Sequence, residues 1–332
     1  MTTAHPMPLM TWYRSHHAAI RKAAIVIFFL LVATLLGIAI AWTDWAEVMR
    51  AIRKMPAAAL WMGAAITAAS YGVYCTFDLL GKWYTDHSLQ WLHTMKIAFI
   101  SYAFTMNLGA PVGGVGLRLR MYTREGVQQG IVLRVFGLSL TTNWIGYSLL
   151  AGAIFAMERV RIPWSWDLDY GALRIIGVIM VCVGVGYMLL CAFSRTRSWT
   201  LKGHEIELPS TGMAAAQVGL AILNWMLIAA VIYVLLQERA DYFTVLGILL
   251  ISAIAGAIAH VPGGLGVTES VFIAFLAPDL PRSEVLGAMV VFRALYYLAP
   301  LLIAAVWYLA IEARARKSPP ADSADSEIKY TS

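Results

Sequence analysis

Seven polar side chains stand in or beside stretches that are otherwise apolar: Arg118, Arg120, Asn143, Asn224, His260, Glu269 and Arg293. Their types limit the chemistry. Arg118 and Arg120 are two apart, just after a glycine-rich turn. A guanidinium there can hold a phosphodiester bidentately or snorkel to the membrane interface. Arg293 is central in Val291-Phe292-Arg293-Ala294-Leu295-Tyr296-Tyr297 and needs a carboxylate or a headgroup beside it. Glu269 is its best candidate partner, and could equally be a counter-ion for Arg118, a proton or cation site, or a first-turn acid favoured by the helix dipole. His260 could titrate near neutral pH, but reads better as a buried structural histidine. Asn143 and Asn224, each followed by tryptophan, offer amides to a ligand or to a neighbouring helix. Asp78, near the inner end of its apolar run, reads as interfacial.

Two glycine turns must position these groups. Pro111-Val112-Gly113-Gly114-Val115-Gly116 and Pro262-Gly263-Gly264-Leu265-Gly266 both interrupt apolar runs. Pro111, Gly113, Gly114 and Gly116, like Pro262, Gly263, Gly264 and Gly266, cannot sit inside a continuous helix without breaking it. Broken helices at membrane depth persist only where protein or a wet cavity surrounds them. Two of them, about 150 residues apart, point to a transport site. Tight helix packing of the small-xxx-small kind is the plainer alternative, although it does not require a proline in both.

The 332 residues are 60% hydrophobic and 13% charged, and the mean hydropathy is +0.70. Apolar blocks of about 20 residues match the thickness of a bilayer core. The pattern predicts an all-α polytopic membrane protein with full spans near Ala24–Trp42, Ala57–Leu80, Ile131–Met157, Ala172–Phe193, Met213–Leu236 and Val285–Ile311. Two re-entrant broken-helix hairpins, 92–120 and 242–277, would complete it. An amphipathic stretch from Asp44 to Met55 would lie at the outer interface. Lys and Arg are in excess in the loops placed inside, which predicts an N-in, C-in orientation. Residues 1–23 would then be a cytoplasmic N-terminus and 158–171 an external loop, with 312–332 a disordered cytoplasmic tail. Units 24–157 and 172–311 each hold three full spans, so the second would be inverted relative to the first.

The net charge of +6 reads as basic cytoplasmic loops facing anionic lipid rather than as a nucleic-acid surface. The three cysteines, Cys75, Cys182 and Cys191, form no disulfide framework or metal spacing. No Walker lysine or zinc pattern occurs. No cofactor is expected.

Four motifs in order resemble a known group: Cys75-Thr76-Phe77-Asp78-Leu79-Leu80, Gly113 to Tyr122, Thr141-Thr142-Asn143-Trp144, and His260 to Glu269. They are similar to the YbhN-like bacterial inner-membrane proteins, within the family named after the transmembrane domain of lysylphosphatidylglycerol synthase. In the two-part synthases that domain acts as a flippase for aminoacylated phosphatidylglycerol, and a separate cytosolic domain makes the lipid. The resemblance thus implies a lipid flippase or transporter in the inner membrane, for an anionic phospholipid or a lipid-linked intermediate. It argues against lysyl transfer by this chain, since only a short tail follows Ile311. Many relatives carry Gly-Glu in the first motif. Here Gly116 is followed by Leu117, so only the second-motif Glu269 is carried over. In that expectation Arg118, with Arg120 and Arg293, binds the headgroup phosphate, and Glu269 neutralises an arginine in the empty state. The alternatives are a non-transporting lipid-binding accessory or scaffold for a membrane enzyme, and a membrane-embedded transferase on a lipid-linked sugar.

Overall fold

The computed structural model describes residues 45–157, 170–201 and 204–317. The expected span Ala24–Trp42, the N-terminal segment 1–23, most of the loop 158–171 and the end of the tail lie outside the described residues. Val48 onward forms one compact unit. Its helices are α1 (Trp45–Arg53), α2 (Ala57–Thr85), α3 (Trp91–Leu108), α4 (Arg118–Arg124), α5 (Gln129–Ala156), α6 (Tyr170–Phe193), α7 (Thr211–Leu235), α8 (Tyr242–Ala259), α9 (Val267–Leu276), α10 (Arg282–Phe292) and α11 (Ala299–Lys317).

Five stretches among the described residues are long and apolar enough to cross a membrane: α2, α6, α7, α8 and the α10–α11 run. The 28-residue α5 is long enough as well, but Ser139, Thr141, Thr142 and Asn143 dilute its hydropathy. Helix starts follow local chemistry. Ser210 caps α7 by accepting from the Met213 amide, and the Asp241 carboxylate caps α8 by accepting from the Thr244 amide. Gly152 and Gly177 let α5 and α6 approach closely. A Cβ on Gly152 would lie 2.7 Å from the Gly177 carbonyl oxygen.

Both expected breaks are present. After α3 the chain turns at Gly109 (φ 85°), winds through a wide π turn over Ala110–Leu117, and continues as the short α4. After α8 it turns at His260, passes a 3₁₀ turn over Pro262–Gly264, and returns as α9. The 18 residues of α8 cover about 27 Å and the 10 of α9 about 15 Å. The second break therefore joins a membrane-length helix to one of about half that length.

Three features differ from the expectation. A short antiparallel hairpin pairs Ser198–Leu201 with His204–Glu207 between α6 and α7. The last helix runs to Lys317, so residues 312–317, expected as disordered tail, are helical. The expected last span also contains a π turn over Arg293–Leu298. Pro300 explains it, because a proline cannot donate to the carbonyl four residues back and its ring crowds that oxygen. That carbonyl, of Tyr296, instead accepts from Tyr71 Oη at 3.0 Å, and the Tyr297 carbonyl accepts from Asn107 Nδ2 at 3.1 Å.

Candidate functional site

The two turns flank a cavity of about 370 Å³, lined by Ala110 of the first and by Gly263 and Gly264 of the second. Helices α2, α3, α5, α7 and α8 supply most of the rest of the wall, with Arg118 of α4, Thr268 of α9 and Tyr297. The glycines are required by close approach. A Cβ on Gly113 would overlap the α3 backbone at Phe104 and Thr105. Gly263 sits at φ 63°, where a Cβ would lie 2.6 Å from the Met106 carbonyl oxygen at the end of α3. The second turn thus seats directly on the helix that leads into the first. Gly264 (φ 58°) and Gly266 (φ 76°) complete its left-handed backbone.

Arg118 is on the cavity wall but is sealed. Its Nε and Nη2 donate to the two carboxylate oxygens of Asp78 at 3.1 and 2.8 Å. Tyr122 and Ser139 hydroxyls add donations to the same carboxylate at 3.1 and 3.0 Å. Arg118 Nη1 reaches the Gly114 carbonyl at 3.4 Å, and the guanidinium lies 5.6 Å from the Phe136 ring centre. Asp78 is completely buried, not interfacial, and it takes the role of partner to Arg118. Four donors converge on it because a buried carboxylate must have both its charge and its lone pairs satisfied.

Arg293 meets Glu269, through Nε to Oε1 at 2.6 Å and Nη2 to Oε2 at 3.3 Å. The same guanidinium donates to the carbonyls of Gly263 and, at 2.9 Å, Gly264, and lies 4.3 Å from the Tyr297 ring centre. Neither Arg293 nor Glu269 lines the cavity. They hold the second turn from its other side.

The remaining expected residues divide. Asn143 and Asn224 line the cavity. Arg120 is exposed and pairs with Glu312 at 2.7 Å, beside Arg124 at 3.2 Å. His260 is exposed, not buried. It closes α8 in a left-handed conformation (φ 53°), with Nδ1 2.7 Å from the Ile258 carbonyl oxygen. A positive φ is uncommon for a residue other than glycine and marks the end of the helix here.

Sequence reasoning missed Asp78, Ser139, Ser252 and Trp225, all four on or beside the cavity wall. It also missed the hydrogen-bonded group Ser70, Tyr102 and Tyr296, in which the Tyr296 hydroxyl meets Ser70 Oγ at 2.8 Å and Tyr102 Oη at 3.1 Å. For Asp78 a signal existed. It is the one acid in the 29 residues of α2, and the rule that sent Arg293 in search of a carboxylate applies equally to an intramembrane aspartate.

Residues 23–304 match the family described as the lysylphosphatidylglycerol synthase TM region. The chain belongs to that family. It is 41% identical over 298 residues to the inner membrane protein YbhN of Escherichia coli, covering 90% of this chain and 94% of that protein. It is 23% identical over 221 residues to the phosphatidylglycerol lysyltransferase of Bacillus subtilis, covering 63% of this chain but 24% of that enzyme. The similarity is thus to the membrane region of the synthase family. Together with the membrane-length helices, it makes this a multi-pass membrane protein. Among the described residues no group of His, Cys, Asp and Glu could hold a metal ion.

Proposed function

We propose that this protein is a lipid transporter of flippase type in the bacterial inner membrane, and that a lipid headgroup enters the cavity between the two glycine turns. One observation carries the reading: exposed apolar side chains form a mouth to a cavity that also holds amides and hydroxyls. Leu140 and Trp144, one turn apart on α5, line the cavity and are 45% and 42% exposed. In a bilayer such a mouth opens sideways to acyl chains, while the amides and hydroxyls behind it replace headgroup hydration. The cargo is an amphipath, either an anionic phospholipid or a lipid-linked intermediate.

In this reading the second turn moves, while the first is held to α2 by its sealed ion pair. Units 24–157 and 172–311 form an inverted repeat with both termini inside, and 92–120 and 242–277 enter from opposite faces. In support, each turn has carbonyls held by a guanidinium that is itself paired with a carboxylate. Lysyl transfer is no part of this reading; the likeness to those enzymes covers about a quarter of their length.

The test is transbilayer movement of labelled phosphatidylglycerol, cardiolipin and phosphatidylethanolamine in proteoliposomes. Wild type is compared with Ala253→Trp, which fills the cavity from α8. Movement that the tryptophan abolishes, in protein that stays folded, is expected. Movement by neither would favour an accessory that binds lipid for a membrane enzyme, and a stoichiometric partner would then co-purify.

A further inference from the structure

The cavity wall is built to read hydroxyl groups rather than charge. Asn224 is 1% exposed and spends its Oδ1 on Ser70 Oγ at 2.9 Å, so its Nδ2 has no partner among the described residues. Asn143 makes no side-chain hydrogen bond among the described residues. Both amides line the same space. Opposite in character are Ser139 and Ser252, whose hydroxyl protons go to Asp78 and to the Ile248 carbonyl at 3.0 and 2.7 Å. Each therefore offers lone pairs to the cavity.

The charge balance points the same way. Among the described residues Arg118 is the one Lys, Arg, Asp or Glu on that wall, and Asp78 neutralises it bidentately. Releasing Arg118 to a phosphate would leave Asp78 buried and unpaired, a cost of several kcal/mol. A bare phosphate has only acceptors and an ammonium only donors, so each would leave half of the wall unsatisfied. A hydroxyl is both donor and acceptor.

Resting on the reading of the cavity as a lipid-headgroup site, we propose that it selects an uncharged, hydroxyl-bearing headgroup moiety, a polyol or a sugar. Asn143 and Asn224 donate to it, and Ser139 and Ser252 accept from it. A site built around hydrogen bonds to a hydroxyl rejects the analogue that lacks it, because its own buried polar groups are then left unpaired.

The test is lipid retention by the purified full chain, measured by native mass spectrometry from phosphatidylcholine nanodiscs doped with one probe at a time. The probes are monoglucosyl-diacylglycerol, phosphatidylglycerol and phosphatidic acid. Either or both hydroxyl-bearing lipids should be retained at least tenfold over phosphatidic acid, and which of them is retained separates a sugar from a polyol. Asn143→Ala with Ser252→Ala should cut that retention at least tenfold. Phosphatidic acid retained as well as the others, no retention of any probe, or variants without effect would overturn the proposal. Equal translocation of all three lipids would sink the selectivity and leave transport standing. Selective retention without translocation would do the reverse.

Discussion

The two arginine–carboxylate pairs do the same job beside the two turns in different surroundings. Arg118 and Asp78 side chains are 1% and 0% exposed, and the carboxylate is closed by Tyr122 and Ser139 as well. Arg293 and Glu269 are 11% and 16% exposed, and among the described residues Glu269 has no donor besides Arg293. The first pair ties the first turn to α2 and offers no alternative partner. The second is partly exposed, and holds a turn that itself rests on the end of α3. A buried pair is costly to break, because removing one member strands the other, whereas water can stand in at a half-open one. The comparison assigns rigidity to the first turn and movement to the second.

The largest effect should come from Asp78→Ala, which leaves Arg118 charged and alone at a fully buried site. A loss of about 3–5 kcal/mol is expected, seen as a collapse of folded yield and melting temperature in detergent. Replacing both members, Asp78→Leu with Arg118→Met, should recover much of it. A single variant of ordinary stability would erase the distinction between the pairs.

Arg293→Ala comes next. It removes charge-assisted bonds to Glu269, Gly263 and Gly264, with about 2–3 kcal/mol expected because water can reach part of the site. Arg293→Lys should recover only part, since an ammonium cannot span the carboxylate and two carbonyls together. Gly263→Ala should cost about 1–2 kcal/mol for the left-handed backbone alone, and more from the Met106 contact. Hydrogen exchange should then rise in Pro262–Leu276 and stay unchanged around Arg118. Equal loosening at both turns would contradict the comparison.

A smaller, pH-dependent effect belongs to His87, in the link between α2 and α3. It is buried, edge-on to Tyr122, and neither ring nitrogen has a hydrogen-bond partner. Burial, reinforced by the nearby Lys82, pushes its pKa below the ordinary 6.5. The folded state therefore binds fewer protons than the unfolded one. Stability should be full above pH 6.5 and fall as the pH drops through that value toward the lowered folded pKa. His87→Leu should flatten that part of a melting-temperature profile. Smallest of all is Arg120→Ala. Its exposed pair with Glu312 is expected to be worth within about 0.5 kcal/mol.

Much of the fold was legible because membrane-length apolar blocks and helix breakers are local signals. The Pro-Gly turns mark both breaks, and the Arg293–Glu269 pairing followed from the cost of an unpaired arginine. Asp78 was missed because its partner is 40 residues away, and only packing shows that α2 buries it against α4 and α5. The π turn at Arg293–Leu298 was missed although Pro300 announces it, since a single proline in a long apolar run also fits a simple kink. Asn143 and Asn224 could be named as intramembrane amides. That both line one cavity depends on the relative rotation of α5 and α7, which periodicity alone does not fix.

The measurement that bears most directly on the cavity as a headgroup site is photolabelling in proteoliposomes. A phosphatidylglycerol carrying a diazirine on its headgroup is activated, and the adducts are mapped by mass spectrometry. The account predicts adducts on Ser139–Trp144, Asn224–Ile228 and Ser252–Ala257, reduced by Ala253→Trp. Adducts confined to the outward apolar positions, such as Leu302, Val306 and Leu309, with the cavity walls unlabelled, would contradict it.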